Sequence, residues 1–273
     1  DRLQQVAAEA LGHEKGSIVA IEPSTGKILA MVSYPTFDSN TVSENWAELN
    51  SDDENSPLLN RATQGLYPPG STFKIITAAS ALEVSTKYMD FNFKCTGDTK
   101  FGDSILHCYD GKAHGKVDMT SAFAKSCNGY FATVAEEIGN DQLIKTATDF
   151  GFNTDLNFPL EYKKASFALK SNSDVKELAA TAIGQGKTLT SPLFMAMVTS
   201  AIANNGSIMQ PYIVDHIETP SGGVRNRTLP TKLLQACDSS TAHKIADMMC
   251  EVVRSGTATN ASFSVSGKAQ VVD

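Results

Sequence analysis

The chain has 273 residues, 41% hydrophobic and 19% charged, with 23 lysines and arginines against 30 aspartates and glutamates and a net charge of −7. That is a core-forming composition, not a disordered one, and the length allows one or two domains. An acidic balance with no basic run argues against nucleic acid as a partner, and no apolar run approaches the roughly 18 residues of a membrane span.

Residues 3–11 place Leu3, Val6, Ala7, Ala10 and Leu11 at helical spacing, with Gly12 as a stop. Asp1-Arg2-Leu3-Gln4-Gln5 has neither the basic start nor the apolar stretch of a signal peptide. Residues 17–22 and 27–33 are β-type runs joined by Pro23-Ser24-Thr25-Gly26, which predicts an antiparallel hairpin. Residues 34–66 are polar and turn-rich and hold the only tryptophan, Trp46; a surface loop is expected. Pro68-Pro69-Gly70 breaks the chain before a strongly apolar helix over 73–82, so Ser71 is expected at a helix N-terminus. Residues 88–115 read as irregular. From 118 to about 150 the pattern is helical, interrupted at Ser126-Cys127-Asn128-Gly129 and at Gly139. Further helices are expected over 192–204 and 239–254, and strands over 212–218 and 263–266. Strands, a long helical middle and strands again suggest one α/β domain with a helical insertion. The five cysteines (Cys95, Cys108, Cys127, Cys237, Cys250) are too scattered for a disulfide scaffold, and the lack of a CxxC pair argues against a zinc site.

Three short patterns can carry chemistry. In Ser71-Thr72-Phe73-Lys74, positions i and i+3 share a helix face, so the Lys74 amine can reach the Ser71 hydroxyl. A serine hydroxyl needs a base, and lysine serves when burial or nearby positive charge strips its proton. Backbone N–H groups at the helix N-terminus suit a developing oxyanion. In Ser126-Cys127-Asn128, Ser126 can pass a proton and Asn128 can hold a substrate amide. At Gly267-Lys268, at the end of a strand, the cation can hold a carboxylate. Each pattern alone is weak; a capping serine, a loop tripeptide and a surface lysine are the ordinary alternatives.

SxxK, SxN and a lysine-bearing strand, in that order, are the signature of penicillin-binding proteins and serine β-lactamases. The surrounding sequence resembles a class B penicillin-binding protein over nearly the whole chain. The resemblance is carried by residues 16–31, Asn60-Arg61-Ala62-Thr63, Tyr67-Pro68-Pro69-Gly70 before SxxK, Lys125-Ser126-Cys127-Asn128-Gly129-Tyr130-Phe131 and Ala182-Ile183-Gly184-Gln185-Gly186. It implies an α/β penicillin-binding protein/serine β-lactamase-like fold, an antiparallel sheet flanked by helices with a largely helical subdomain at about 75–190. It also implies a D,D-transpeptidase that cross-links peptidoglycan stem peptides ending in D-Ala-D-Ala and is acylated by β-lactam antibiotics. By carry-over Ser71 is the nucleophile, Lys74 its base, Ser126 the proton relay and Asn128 a substrate-binding residue. Lys268, with Gly267 beside it, would hold the terminal carboxylate. No metal or organic cofactor is needed. A membrane glycosyltransferase partner is implied, as is a place on the extracytoplasmic face of the membrane, with an anchor helix and a pedestal domain preceding Asp1.

The third motif departs from the family. Lys-Thr-Gly is expected where the chain reads Ser266-Gly267-Lys268-Ala269-Gln270, as if three residues after Lys268 were missing. Other functions stay open: a class D-like β-lactamase, which also uses Ser-Thr-Phe-Lys, and, on the incomplete third motif, a β-lactam sensor or an inactive scaffold. His107, His114 and Cys127 read as structural, and Glu161 does not resemble a deacylating glutamate. Gly184 and Gly186 are expected to mark a tight turn lining the cleft. In an extracytoplasmic setting Cys95 and Cys108 can pair as a disulfide or remain thiols.

Overall fold

A computed structural model of the chain describes residues 2–265 and 268–270, with side chains through residue 262. Helix α1 (Arg2–Leu11) leads into the antiparallel hairpin of β1 (Gly16–Ile21) and β2 (Ile28–Tyr34), whose register pairs Val19 with Met31. Val19, Ile21 and Ile28 pack against the core, and α1 lies on both strands. The side chain of Gln4 closes the hairpin's backbone at Met31, donating to its C=O at 2.9 Å and accepting from its N–H at 2.8 Å. Pairing an edge residue in this way removes a template for aggregation. The expected surface loop over 34–66 contains one short helix, α2 (Trp46–Ser51), and Trp46 is exposed.

Helix α3 (Lys74–Val84) is the centre of the molecule. Every residue from Lys74 to Leu82 is buried, as expected for a helix apolar on all sides. It packs against α5 and α8, introduced below. Residues 88–115 are more ordered than the sequence suggests. They hold β3 (Phe93–Cys95), β4 (Asp98–Phe101), β5 (Ser104–His107) and, running on to 117, β6 (Gly115–Val117). β3 pairs with β6 and β4 with β5, a hairpin nested inside a wider one. Strands of three or four residues with polar alternate positions carry too little periodicity to be read beforehand.

The long helical stretch is split where its glycines and polar residues predict. α4 (Met119–Ala124) opens with a capping box between Asp118 and Ser121, and α5 (Asn128–Asp149) is broken at Gly139, where φ is +80°. After α6 (Val175–Ala182) and α7 (Pro192–Ala203), β7 (Ser207–Met209) pairs with β10 (Lys232–Gln235), and β8 (His216–Glu218) with β9 (Val224–Arg227). The strand expected over 212–218 is reduced to its last three residues. Pro211 precedes it, and Tyr212 instead accepts the Ile28 N–H at 2.9 Å, tying this segment to β2. Helix α8 (Ser239–Ser255), capped by Asp238, then leads to β11 (Phe263–Val265) and β12 (Lys268–Gln270), paired with Val265 opposite Lys268. All six strand pairings among the described residues are antiparallel.

An aromatic group supports the start of α3 from below. Phe73 lies 5.7 Å from both Phe152 and Phe167, and Phe152 meets Phe194 edge-on at 4.7 Å. All four rings are buried. Replacing Phe152 by alanine removes three ring contacts at once and leaves a cavity, a loss of about 3–5 kcal/mol. Urea unfolding of the Phe152→Ala variant should show a midpoint lowered to match; an unchanged midpoint would mean that the cluster is not part of the stabilising core.

Candidate active site

The chain enters the site in extended form. Tyr67 and Thr190 exchange two backbone hydrogen bonds of 2.9 Å, and the Gly70 N–H donates to the Gly184 carbonyl at 2.9 Å. Gly184 has φ +73°, and a Cβ there would lie 1.9 Å from the Gly70 oxygen, so only glycine lets the two backbones approach. Ser71 lies in a 3-10 turn, Gly70–Phe73, which runs into α3, rather than on the α-helix itself. The tighter turn serves the pair well. With three residues per turn, side chains at i and i+3 stand directly over one another, which sets Lys74 beside Ser71.

The second segment comes from the α4–α5 connection. Ser126 has φ +54°, an uncommon conformation for a side chain other than glycine, and its hydroxyl donates to Ser71 Oγ at 2.8 Å. Asn128 opens α5. Its Nδ2 donates to the His107 carbonyl at 2.9 Å, which orients the amide so that Oδ1 points to Lys74. The structure thus brings Ser71, Lys74, Ser126 and Asn128 together from two segments more than 50 residues apart in sequence.

Lys74 is the hub. It is 2% exposed, and its Nζ lies 2.7 Å from Asn128 Oδ1, 2.8 Å from the Ser126 carbonyl, 2.9 Å from Ser126 Oγ and 3.2 Å from Ser71 Oγ. The Phe131 ring centre is 5.8 Å away. Burial lowers its pKa to about 8, while the Cys127 and Cys108 thiols pull the other way. Among the described residues no carboxylate bonds to this amine. The amide oxygen and the carbonyl can only accept and take two N–H bonds, so the amine's remaining position faces the two serine hydroxyls; when the amine loses a proton, its lone pair lies on that side. That arrangement can draw a proton from Ser71.

The third segment is reached only in part. Lys268 lies in β12, but its side chain falls outside the described residues, as does Gly267 altogether. Glu161 is far from a catalytic role; its backbone carbonyl accepts the Thr63 hydroxyl at 2.8 Å. The exposed His107 ring pairs with Asp98 at 2.7 Å, and its backbone carbonyl holds Asn128. Gly186, unlike Gly184, has no crowded backbone neighbour.

The cysteines lie closer together than their spacing in sequence suggests. The absence of CxxC argued against a metal site, yet Cys95, Cys108, Cys127 and His114 converge until their donor atoms all lie within 4.8 Å of one another. Each comes from a different stretch of backbone, so short-range spacing could not reveal them. Cys95 and Cys108 remain thiols, with sulfurs 3.7 Å apart against the roughly 2.05 Å of a disulfide. Cys127 and His114, read from sequence as structural, belong to this group directly behind the Ser126–Asn128 segment.

Residues 16–269 match the family described as the penicillin-binding protein transpeptidase domain. The chain is 36% identical over 267 residues to the peptidoglycan D,D-transpeptidase PbpA of Mycolicibacterium smegmatis, covering 91% of this chain and 54% of that protein. It is 34% identical to the peptidoglycan D,D-transpeptidase MrdA of Acinetobacter baumannii, covering 93% of this chain and 40% of that protein. It thus spans about half the length, or less, of these curated relatives. Among solved structures, the D,D-transpeptidase domain of a peptidoglycan glycosyltransferase from Eggerthella lenta superposes with a TM-score of 0.91 at 34% identity, covering 97% of this chain and 67% of that one. The ceftriaxone acyl-enzyme complex of penicillin-binding protein A from M. tuberculosis gives 0.86 at 32% identity, covering 93% and 60%. The chain belongs to the penicillin-binding protein transpeptidase family, and its fold is that of the family.

With the pKa of Lys74 lowered to about 8, its assignment as base to Ser71 carries a pH dependence of defined sign. Below the pKa the amine is protonated and cannot accept; the rate of acylation at Ser71 should rise about tenfold per pH unit and level off above it. Stopped-flow acylation across this range tests the assignment, and a rate that fell with rising pH through the same region would contradict it.

Proposed function

We propose that this chain is the catalytic domain of a peptidoglycan D,D-transpeptidase, a serine acyltransferase that is also a target of β-lactams. The observation that carries this reading is the buried Lys74 amine, 3.2 Å from an exposed Ser71 hydroxyl and held by the Ser126 and Asn128 side chains. Family membership and relatives named as D,D-transpeptidases support it.

In this mechanism neutral Lys74 takes the Ser71 proton as Oγ attacks the carbonyl of the penultimate D-alanine. The Ser71 N–H, in the 3-10 turn that runs into α3, supplies one half of the oxyanion hole. The C–N bond breaks, and Ser126, 2.8 Å from Ser71 Oγ, passes a proton to the departing amine of the terminal D-alanine. An acyl ester remains on Ser71. The amine of a second stem peptide then attacks the ester, loses a proton to the Lys74–Ser126 pair, and leaves as the cross-linked product while Ser71 regains its hydrogen. Asn128 holds the peptide amide, and Lys268, with Gly267 beside it, holds the terminal carboxylate. The substrate sets the place of work, the extracytoplasmic face of the membrane, beside a glycosyltransferase that makes the glycan strands. An anchoring segment outside this sequence would hold it there.

A β-lactam follows the same first step, but its leaving amine stays tethered and blocks the acceptor. Among the described residues no carboxylate bonds to Lys74, where a second base could aim water at the ester. Penicillin should therefore add one drug mass that persists for hours by intact-mass spectrometry and is absent from Ser71→Ala. Rapid turnover of drug would instead mark a β-lactamase, and an unmodified wild-type chain would overturn the enzyme reading altogether.

Arginine at position 74 keeps the charge and loses the titration. Lys74→Arg should retain the far-ultraviolet circular dichroism of the parent and acylate about 10²-fold more slowly or worse, the scale of a general base. Native acylation rates in that variant would remove Lys74 from the role of base.

A further inference from the structure

Behind the Ser126–Asn128 segment three buried thiols and one half-buried imidazole meet. Cys95 Sγ lies 3.7 Å from Cys108 Sγ and 3.4 Å from His114 Nδ1, and Cys108 Sγ lies 3.9 Å from Cys127 Sγ. Cys95 closes β3, Cys108 follows β5, His114 precedes β6 and Cys127 precedes α5. These spacings have a specific meaning. Four ligands at tetrahedral angles, with Zn–S about 2.3 Å and Zn–N about 2.0–2.1 Å, stand roughly 3.5–3.8 Å from one another. The sulfurs are too far apart for a disulfide and closer than unrelated buried side chains need be.

We propose that Cys95, Cys108, His114 and Cys127 form a structural zinc site that fixes the Ser126–Asn128 segment of the active site. Three sulfurs and one imidazole nitrogen are the soft and borderline donors that a four-coordinate zinc ion takes. Backbone N–H groups already point at the sulfurs: those of Gly97 and His114 toward Cys95, and that of Tyr130 toward Cys127. Such donors stabilise coordinated thiolates. Three thiolates and a dication leave a net charge of −1, and Lys74, Lys112 and Lys125 all act electrostatically on His114 at this cluster. The ion would clamp together the β3–β6 pair, the β5 end and the start of α5. Cys127 is flanked by Ser126 and Asn128, both bonded to Lys74, so the ion would be a positioning element for the catalytic turn.

Metal binding is read out without catalysis, so this inference and the transpeptidase reading fail separately. The whole chain, purified under reducing conditions after growth with zinc, should hold one zinc per molecule by plasma mass spectrometry. Loaded with cobalt(II) instead, it should show tetrahedral d–d bands and a thiolate-to-cobalt charge-transfer band. His114→Ala, which removes the least buried ligand and so least threatens folding, should weaken metal affinity by ~10²-fold or more and abolish the tetrahedral spectrum. With zinc bound, Cys95, Cys108 and Cys127 should resist alkylation in the folded protein and become reactive when a chelator is added. A substoichiometric metal content with an octahedral cobalt spectrum would overturn the proposal. So would a metal held equally well by His114→Ala, or a disulfide among these cysteines in the purified protein.

Discussion

An amine with four oxygen partners within 3.2 Å and almost no access to water is the constraint on which the rest of the site depends. Lysine is among the residues least often found fully buried, because its charge is costly to desolvate. Here burial keeps the cost and uses it: the charged form is penalised, and the neutral form is the one that can take a proton from Ser71. To bury that amine the protein makes α3 its central helix, shielded by α5 and α8 and seated on the rings of Phe73, Phe152 and Phe167. Two partners of the amine must be acceptors only, which a carbonyl and an oriented amide provide. The orientation of that amide depends in turn on the His107 carbonyl at the end of β5. The short strands of the middle region therefore act on the Lys74 amine through Asn128.

The segment carrying Ser126 and Asn128 has two sides with different surroundings. Ser126 and Asn128 bond to Lys74, while Cys127, fully buried, meets Cys108. A single turn thus joins the proton-transfer chain to the thiol–imidazole group behind it. Cys108 and Cys127 also act electrostatically on Lys74. Whatever fixes the Cys127 sulfur also fixes Ser126 and Asn128, because Cys127 is the backbone neighbour of both.

How much of this was legible in the sequence depended on distance along the chain. Ser71 and Lys74 are three residues apart, and helical periodicity alone places them together; that Lys74 is buried also follows, since the residues after it are apolar on every side. Ser126 and Asn128 come from another part of the chain, and only the family resemblance attached them to Ser71. The nested strands of 93–117 went unread, because three-residue pairings with exposed alternate positions leave no period. The thiol–imidazole group went unread for the related reason that its members sit on four separate backbone stretches. No local pattern records a convergence that the tertiary fold produces. Gly139, by contrast, signalled the break in α5 from its identity alone, whereas Gly184, expected to mark a tight turn, shows its close approach to the Gly70 backbone only in the fold.

The left-handed conformation of Ser126 ties these observations together. A non-glycine residue at φ +54° carries strain on the order of 1 kcal/mol or more, which persists only where the surroundings over-determine it. Glycine at this position would relieve the strain, but it would remove the hydroxyl that bridges Ser71 and Lys74. The surroundings do over-determine it. The Ser126 N–H is held by Phe123 at 3.0 Å, its carbonyl by Lys74 at 2.8 Å, and the next N–H, that of Cys127, by Ala122 at 2.8 Å. The Ser126 hydroxyl is thereby aimed at Ser71 before any substrate arrives, so proton transfer requires no rearrangement of the backbone. The buried amine supplies one of those restraints and bonds the hydroxyl of the same residue, so the proposed base and the proposed relay form a single mechanical unit.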